Sequence, residues 1–220
     1  MRSVPLRAAE VIARHDSARA RADWPAGALA VVEAEPEHGV WRWVLTNHRF
    51  NSLLWDEEDL ARRTTVGPAE IAANKRAIDA YNQARNDATE RVDELLLIAL
   101  GLVDEASARS DAPRSNVPAG ARLNSETAGS IIDRMSIMAL KIHAMRAQTE
   151  RGDVDDAHRA ASRARLARLQ EQRADLGGCL DALLADAAAG RAYFKVYRQF
   201  KMYNDPRFNP ALVAEAKQRA

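Results

Sequence analysis

No stretch of this chain alternates apolar and polar residues at the two-residue period of a half-buried strand for any useful length, whereas apolar residues recur at steps of three and four through most of it. A chain patterned in this way has to bury helix stripes against one another. Gly and Pro punctuation divides it. Pro5 opens a helix over residues 5–22, and residues 23–39, broken by Pro25, Gly27 and Pro36, form a connector with room for a two-turn helix. A second helix runs from Val40 to Arg63, and after the Gly67-Pro68 break a third runs to about Glu105 unless Gly101 shortens it. Residues 107–123 are a loop. The fourth helix opens at Asn124, Ser125, Glu126 and Thr127, and the fifth covers Val154 to Ala189, with Gly177-Gly178 as a place to bend. A sixth after Gly190 carries Tyr193, Phe194, Tyr197 and Phe200 on a buried face, and Asn209-Pro210 caps a short last one. The expected fold is all-α, an antiparallel helical bundle of five to seven helices, with an N-terminal helix and connector over 1–39 and the bundle domain over 40–220.

Composition sets the outer limits of function. With 220 residues, 47% apolar and 29% charged, the chain can bury a large core. Its 32 Lys and Arg against 31 Asp and Glu leave no overall field, so neither nucleic acid nor an anionic membrane surface is an expected partner. The single cysteine, Cys179, makes an internal disulfide impossible, leaves no Cys/His zinc spacing and fits a reducing, cytoplasmic location. The longest apolar run, Leu95 to Leu100, is far shorter than the ~20 residues of a membrane-spanning helix. The first 24 residues have no continuous apolar centre, so no signal peptide is expected.

The most informative stretch is residues 74–93. Lys75, Asp79, Asn82, Asn86, Glu90 and Asp93 follow one another at steps of three or four and so form one polar stripe on a helix. Beside it lies a second stripe of Ile71, Ile78, Arg85, Val92 and Leu96. Polar and apolar stripes that adjoin, rather than oppose, bring amides and charges to the edge of an interior. The second helix repeats the pattern, with His48 and Asn51 on the same face as Trp41, Val44, Leu45, Ser52 and Trp55, followed a turn later by Glu58 and Asp59.

Four separated motifs give the chain a family likeness. They are His48-Arg49-Phe50-Asn51 with Leu54, Trp55, Glu58 and Asp59; Lys75-Arg76 and Asp79 with Asn82, Gln83, Arg85, Asn86 and Asp87; Asn124-Ser125-Glu126 with Asp133-Arg134 and Ser136; and Lys201 with Asn204-Asp205-Pro206. Over about residues 40–212 the sequence resembles the bacterial domain-of-unknown-function family 4254. That family has no assigned chemistry. Its members are often encoded among glycosyltransferases for lipopolysaccharide or capsule, which implies a role near surface-glycan biosynthesis by association.

Within these motifs the chemistry of the side chains defines candidates. Only five of the 32 basic residues are lysine, and Lys75, Lys141 and Lys201 lie in or beside the motifs with Arg76, Arg85 and Arg134, a combination suited to phosphate or diphosphate. Asn51, Asn82, Asn86 and Asn124 offer amides to sugar hydroxyls, and Glu126 and Asp133 complete the ligand-binding set. His48 with Glu58 or Asp79 are the acid/base candidates if chemistry occurs. Against this stands a closed ion-pair and amide network, with His48 hydrogen-bonded and Trp55 as packing. Glu58 or Asp59 with Glu90 and Asp93 could hold Mg²⁺ between antiparallel helices, as in helical nucleotide pyrophosphohydrolases. The expectation is a soluble protein that binds a phosphorylated or nucleotide-linked sugar in a polar cleft. The alternatives are a non-catalytic partner of a glycosyltransferase and a metal-dependent nucleotide hydrolase; no cofactor is assigned.

Overall fold

The longest polar-edged helix is framed by two backbone devices. Pro68 occupies its first position after Gly67, and Gly101, at φ 58°, turns the chain left-handed at its far end. There Leu102 N–H donates to Leu97 O and Gly101 N–H to Ile98 O, both at 2.8 Å, which closes the last carbonyls and stops the helix at Ala99 rather than near Glu105. A computed structural model describes residues 4–27, 29–200, 202 and 205–219 of this chain. Its helices are α1 (Ala8–Arg19), α2 (Leu29–Glu33), α3 (Val40–Ala61), α4 (Pro68–Ala99), α5 (Ala128–Glu150), α6 (Asp156–Ala188) and α7 (Pro210–Arg219). The chain is an all-α helical bundle. Among the described residues no helix is long and apolar enough to cross a membrane.

The α3–α4 and α5–α6 pairs make the densest packing, and α3 and α4 each lie against α5. Their apolar stripes meet in one core that contains Val44, Leu96, Leu100, Ile131, Met135, Leu180 and Leu184. Leu6, Ala8 and Val11 belong to the same core, so α1 packs directly on the bundle. Gly177 is what lets it do so: a Cβ there would meet Ala8 Cβ at 3.2 Å. α6 runs through Gly177-Gly178 without interruption, the first glycine serving that approach instead of a break.

Two expectations are corrected. α5 is capped by Thr127, whose side chain accepts from Ser130 N at 3.1 Å. Asn124 stands before the helix, its amide on Glu126 O at 2.6 Å and its backbone N–H on Tyr193 O at 2.8 Å. The helix expected after Gly190 is not formed: β1 (Arg122–Leu123) and β2 (Ala192–Tyr193) make a two-residue parallel pair, and residues 194–200 follow without regular structure. Phe194 enters the core, whereas Tyr197 and Phe200 are exposed. A strap results, held on α4 because Arg198 reaches Glu90 at 2.9 Å, Glu94 at 2.6 Å and Ala108 O at 2.7 Å.

α4 and α5 come close together where Thr89 passes Gly129. A Cβ at Gly129 would lie 2.6 Å from Thr89 O and 2.9 Å from Asp93 Oδ1. The first of these is backbone and cannot swing aside, so Gly129→Ala is expected to lower the unfolding free energy by about 2 kcal/mol. Urea denaturation measures it; a variant as stable as the parent would mean that the two helices can part without cost.

Candidate functional site

The polar stripe of α4 divides along its length, and each part meets a different neighbour. Near the start Lys75 pairs with Asp79 in the open, and Arg76 is exposed beside them. At the far end Asp93 lies 3% exposed under the first turn of α5, where Gly129 N–H donates to its Oδ1 at 2.7 Å. A carboxylate at a helix N-terminus is favoured by the dipole there. Burial nevertheless outweighs that help and the Thr127 and Gly129 hydrogen bonds, and pushes the Asp93 carboxyl up to about 7. Asn86 and Glu90 turn to the strap, Asn86 Nδ2 donating to Gln199 Oε1 at 2.8 Å and Glu90 accepting from Gln199 N and Arg198. Asn82 and Arg85, between these ends, face a cleft.

Beneath the cleft is a closed polar layer contributed by α3 and α5. Asp133 Oδ1 accepts from Asn47 Nδ2 at 2.7 Å and from Asn51 Nδ2 at 2.9 Å, and the Arg85 guanidinium stands 3.9 Å away. Asn47 also reaches Thr89 at 3.0 Å, and Asn51 reaches Ser136 Oγ at 3.0 Å, so α3, α4 and α5 are tied at one level. Ser136 Oγ in turn lies 2.8 Å from His48 Nδ1. His48 is sandwiched between His15, with ring centroids 4.4 Å apart, and Trp24, at 5.1 Å. Trp24 is fixed by its own Nε1–H on Ser52 Oγ at 2.8 Å.

This stack decides what His48 can do. It is fully buried, and its Nε2 has no hydrogen-bond partner among the described residues. Desolvation lowers its pKa to about 3, and the same cause carries His15 well below the ordinary histidine value. An imidazole so held is neutral and shut away from solvent. The acid/base grouping of His48 with Glu58 or Asp79 is therefore not assembled: Glu58 pairs with Arg62 at 2.9 Å on the cleft rim, and Asp79 is on the outer surface. The Mg²⁺ grouping is not assembled either, because Glu90 is held by Arg198 and Asp93 lies under α5. Among the described residues no three His, Cys, Asp or Glu groups are placed to share an ion.

What does converge is an open cleft of about 350 Å³ between the second half of α3 and the facing parts of α4 and α5. Its apolar side is Leu54, Trp55, Ile137 and Leu140; its polar side is Asn51, Glu58, Asp59, Arg62, Asn82 and Arg85. Asn82 has no hydrogen-bond partner among the described residues. Arg85 is three-quarters covered, donates through Nη2 to Asn86 Oδ1 at 3.0 Å and leaves its buried Nε unpartnered. Its charge is offset only by Asp133, whose acceptor oxygen is shared with two amides. The cleft thus offers one held guanidinium, one free amide and an indole wall.

The remaining candidates fall elsewhere. Asn124, Glu126 and Arg134 cluster at the entry to α5, where Glu126 and Arg134 pair with each other. Lys201 lies outside the described residues. Several groups that build the site were not among the candidates: Asn47 and Thr89 complete the layer below, and Arg62, Leu54, Ile137 and Leu140 line the cleft. Asn47 carries a usable signal, since it sits one turn before Asn51 on α3 and shares its partner.

Neither the curated proteins nor the solved structures hold a match to this chain. The sequence model described as "Protein of unknown function (DUF4254)" matches residues 41–196, from the first turn of α3 to the strap, and so spans all the elements that build the cleft. On that match, which takes in well over half of its length, the chain belongs to the DUF4254 family.

Proposed function

We propose that this protein binds a phosphorylated or nucleotide-linked sugar in the cleft between α3, α4 and α5, as part of bacterial surface-glycan biosynthesis. One observation carries the reading: Asn82, whose side chain has no hydrogen bond among the described residues, and the partly covered Arg85 guanidinium line an open hollow, while the polar groups directly beneath them are hydrogen-bonded to one another. A guanidinium anchored at its far side suits a phosphate oxygen, the free Asn82 amide suits a hydroxyl, and an indole wall suits the apolar face of a sugar ring. The volume lies near the lower end for small-molecule sites, which fits a ligand of monosaccharide size. The acid/base candidates do not meet there, so binding, not catalysis, is proposed.

Hexose 1-phosphates test this in a thermal-shift screen followed by calorimetry. Ligand that binds only the folded state raises the melting temperature. Arg85→Ala should weaken the binding by about tenfold or more, since it removes a charge-assisted donor pair. No stabilisation by any sugar phosphate at saturating concentration sinks the reading.

A second reading, a non-catalytic partner of a glycosyltransferase, has an observation of its own. Tyr197, Phe200, Met202 and Phe208 are each more than half exposed, close together in sequence at the C-terminal end of the chain. Exposed apolar groups in such a cluster are a feature of docking surfaces. Capture of a transferase by a Lys75, Arg85 and Asp133 triple variant, together with no sugar-phosphate binding by the parent, would favour it.

A further inference from the structure

Across Trp55 from the cleft lies a second hollow, of about 470 Å³, between α5 and α6. Trp55 lines both. On α5 the residues facing them are Ile137 and Leu140 in the first and Lys141, Ala144 and Gln148 in the second, which recur at steps of three and four along one helix face. The two hollows are therefore neighbouring lengths of one trough that follows α5, with Trp55 between them.

Their linings differ in kind. The α3–α4 end carries two carboxylates, Glu58 and Asp59, with amides and arginines. The α5–α6 end carries three cations, Lys141, Arg165 and Arg168, and no carboxylate among its lining residues, above a floor of Trp55, Met145 and Leu169. Arg168 pairs with Glu171 at 3.5 Å on the surface, but Lys141 and Arg165 have no ion pair among the described residues. Three positive groups around an apolar floor call for an occupant with more than one negative charge and a flat apolar face. Gln148 and Gln172 add amides at its margin, which an alkyl chain would leave unused but the polar edge of a heterocycle would engage.

We propose that the trough is one bipartite site, and that its α5–α6 end takes a nucleoside diphosphate whose attached hydroxylated group lies beyond Trp55. The base rests against Trp55, Met145 and Leu169, and the phosphates lie toward Lys141 and Arg165. This rests on the reading of the α3–α4 cleft as a sugar site, and its own probes separate the two.

Calorimetry with uridine and adenosine diphosphates on the full chain tests it, alongside a hexose 1-phosphate. The Lys141→Glu, Arg165→Glu double variant changes two exposed positions, and an unchanged melting temperature verifies its fold. It should weaken nucleoside diphosphate binding by about tenfold or more. Trp55→Leu should weaken the nucleoside diphosphates but not inorganic pyrophosphate. Sugar phosphate bound with no nucleoside diphosphate binding at millimolar concentration overturns the inference and leaves the cleft reading intact. So does nucleotide binding that ignores the double variant and is lost in Asn82→Ala or Arg85→Ala. Nucleotide binding that the double variant abolishes, with no sugar phosphate bound, keeps the α5–α6 end and removes the cleft reading; binding of neither ends both.

Discussion

Asp133→Ala is expected to lower the unfolding free energy by about 3 kcal/mol and to abolish the binding proposed for the cleft. Three groups lose their shared acceptor at once. Asn47 and Asn51, 1% and 4% exposed, keep only their weaker neutral partners Thr89 and Ser136 for the Nδ2 groups, and Arg85 keeps a positive charge with no counterion among the described residues. Each unsatisfied buried donor costs roughly 1–3 kcal/mol. Asp133 is 18% exposed through its side chain, so water entering from the cleft recovers part of the loss and keeps the total near the lower end. Asp133→Asn separates shape from charge. It preserves Oδ1 as an acceptor for both amides and removes only the charge assistance, for a cost of about 1 kcal/mol. Urea denaturation of the two variants decides: equal losses would mean that the layer does not close through Asp133 Oδ1.

Stability should rise with pH between about 4 and 6.5, and replacing Asp93 should steepen that rise. Burial holds the folded pKa values of His15 and His48 well below their unfolded 6.5, so in this window the unfolded chain binds protons that the folded chain does not. Their contribution is present above pH 6.5 and is lost as the pH falls toward the folded values. Asp93 acts oppositely. Its folded pKa of about 7 stands above the unfolded 3.8, so the folded chain holds one proton more across the same window. Asp93 therefore offsets part of what the two histidines contribute, and the rise that remains is theirs. Asp93→Asn retains the acceptor for Gly129 N–H and removes the opposing proton, which should steepen the slope by up to about 1.4 kcal/mol per pH unit. Unfolding free energies of the parent and the variant at pH 4.5, 5.5 and 6.5 test this by difference, since the exposed carboxylates common to both cancel. Parallel curves would mean that Asp93 is ionised in the folded state.

The helices of the bundle were legible from the sequence because their signals are local. Gly67-Pro68 marks the start of α4, and apolar steps of three and four mark the inner faces of α3, α5 and α6. Their ends were legible less well. Gly101 stops α4 through the φ it adopts, whereas Gly177-Gly178, which looks equally disruptive in the sequence, sits inside a continuous helix because α1 needs the space. The segment after Gly190 has the aromatic spacing of a helix and forms none: Ala192 pairs with Arg122, Phe194 enters the core, and Arg198 is bound by Glu90 and Glu94. These are contacts with elements about seventy to a hundred residues away, and no local periodicity encodes them.

The sequence by itself determined that polar side chains would reach the edge of an interior, since a helix places residues three and four apart on one face whatever surrounds it. Only the tertiary structure decided what each of them meets. From a single stripe it placed Lys75 and Asp79 in solvent, Asn82 on a cleft, Asn86 and Glu90 under a strap and Asp93 beneath α5. It also enclosed His48 between Trp24 and His15, where desolvation removes the basicity that its residue type suggests. The physical reason is the same in each case: a periodic pattern fixes the direction of a side chain from its own helix, while burial and partners depend on which other helix lies opposite.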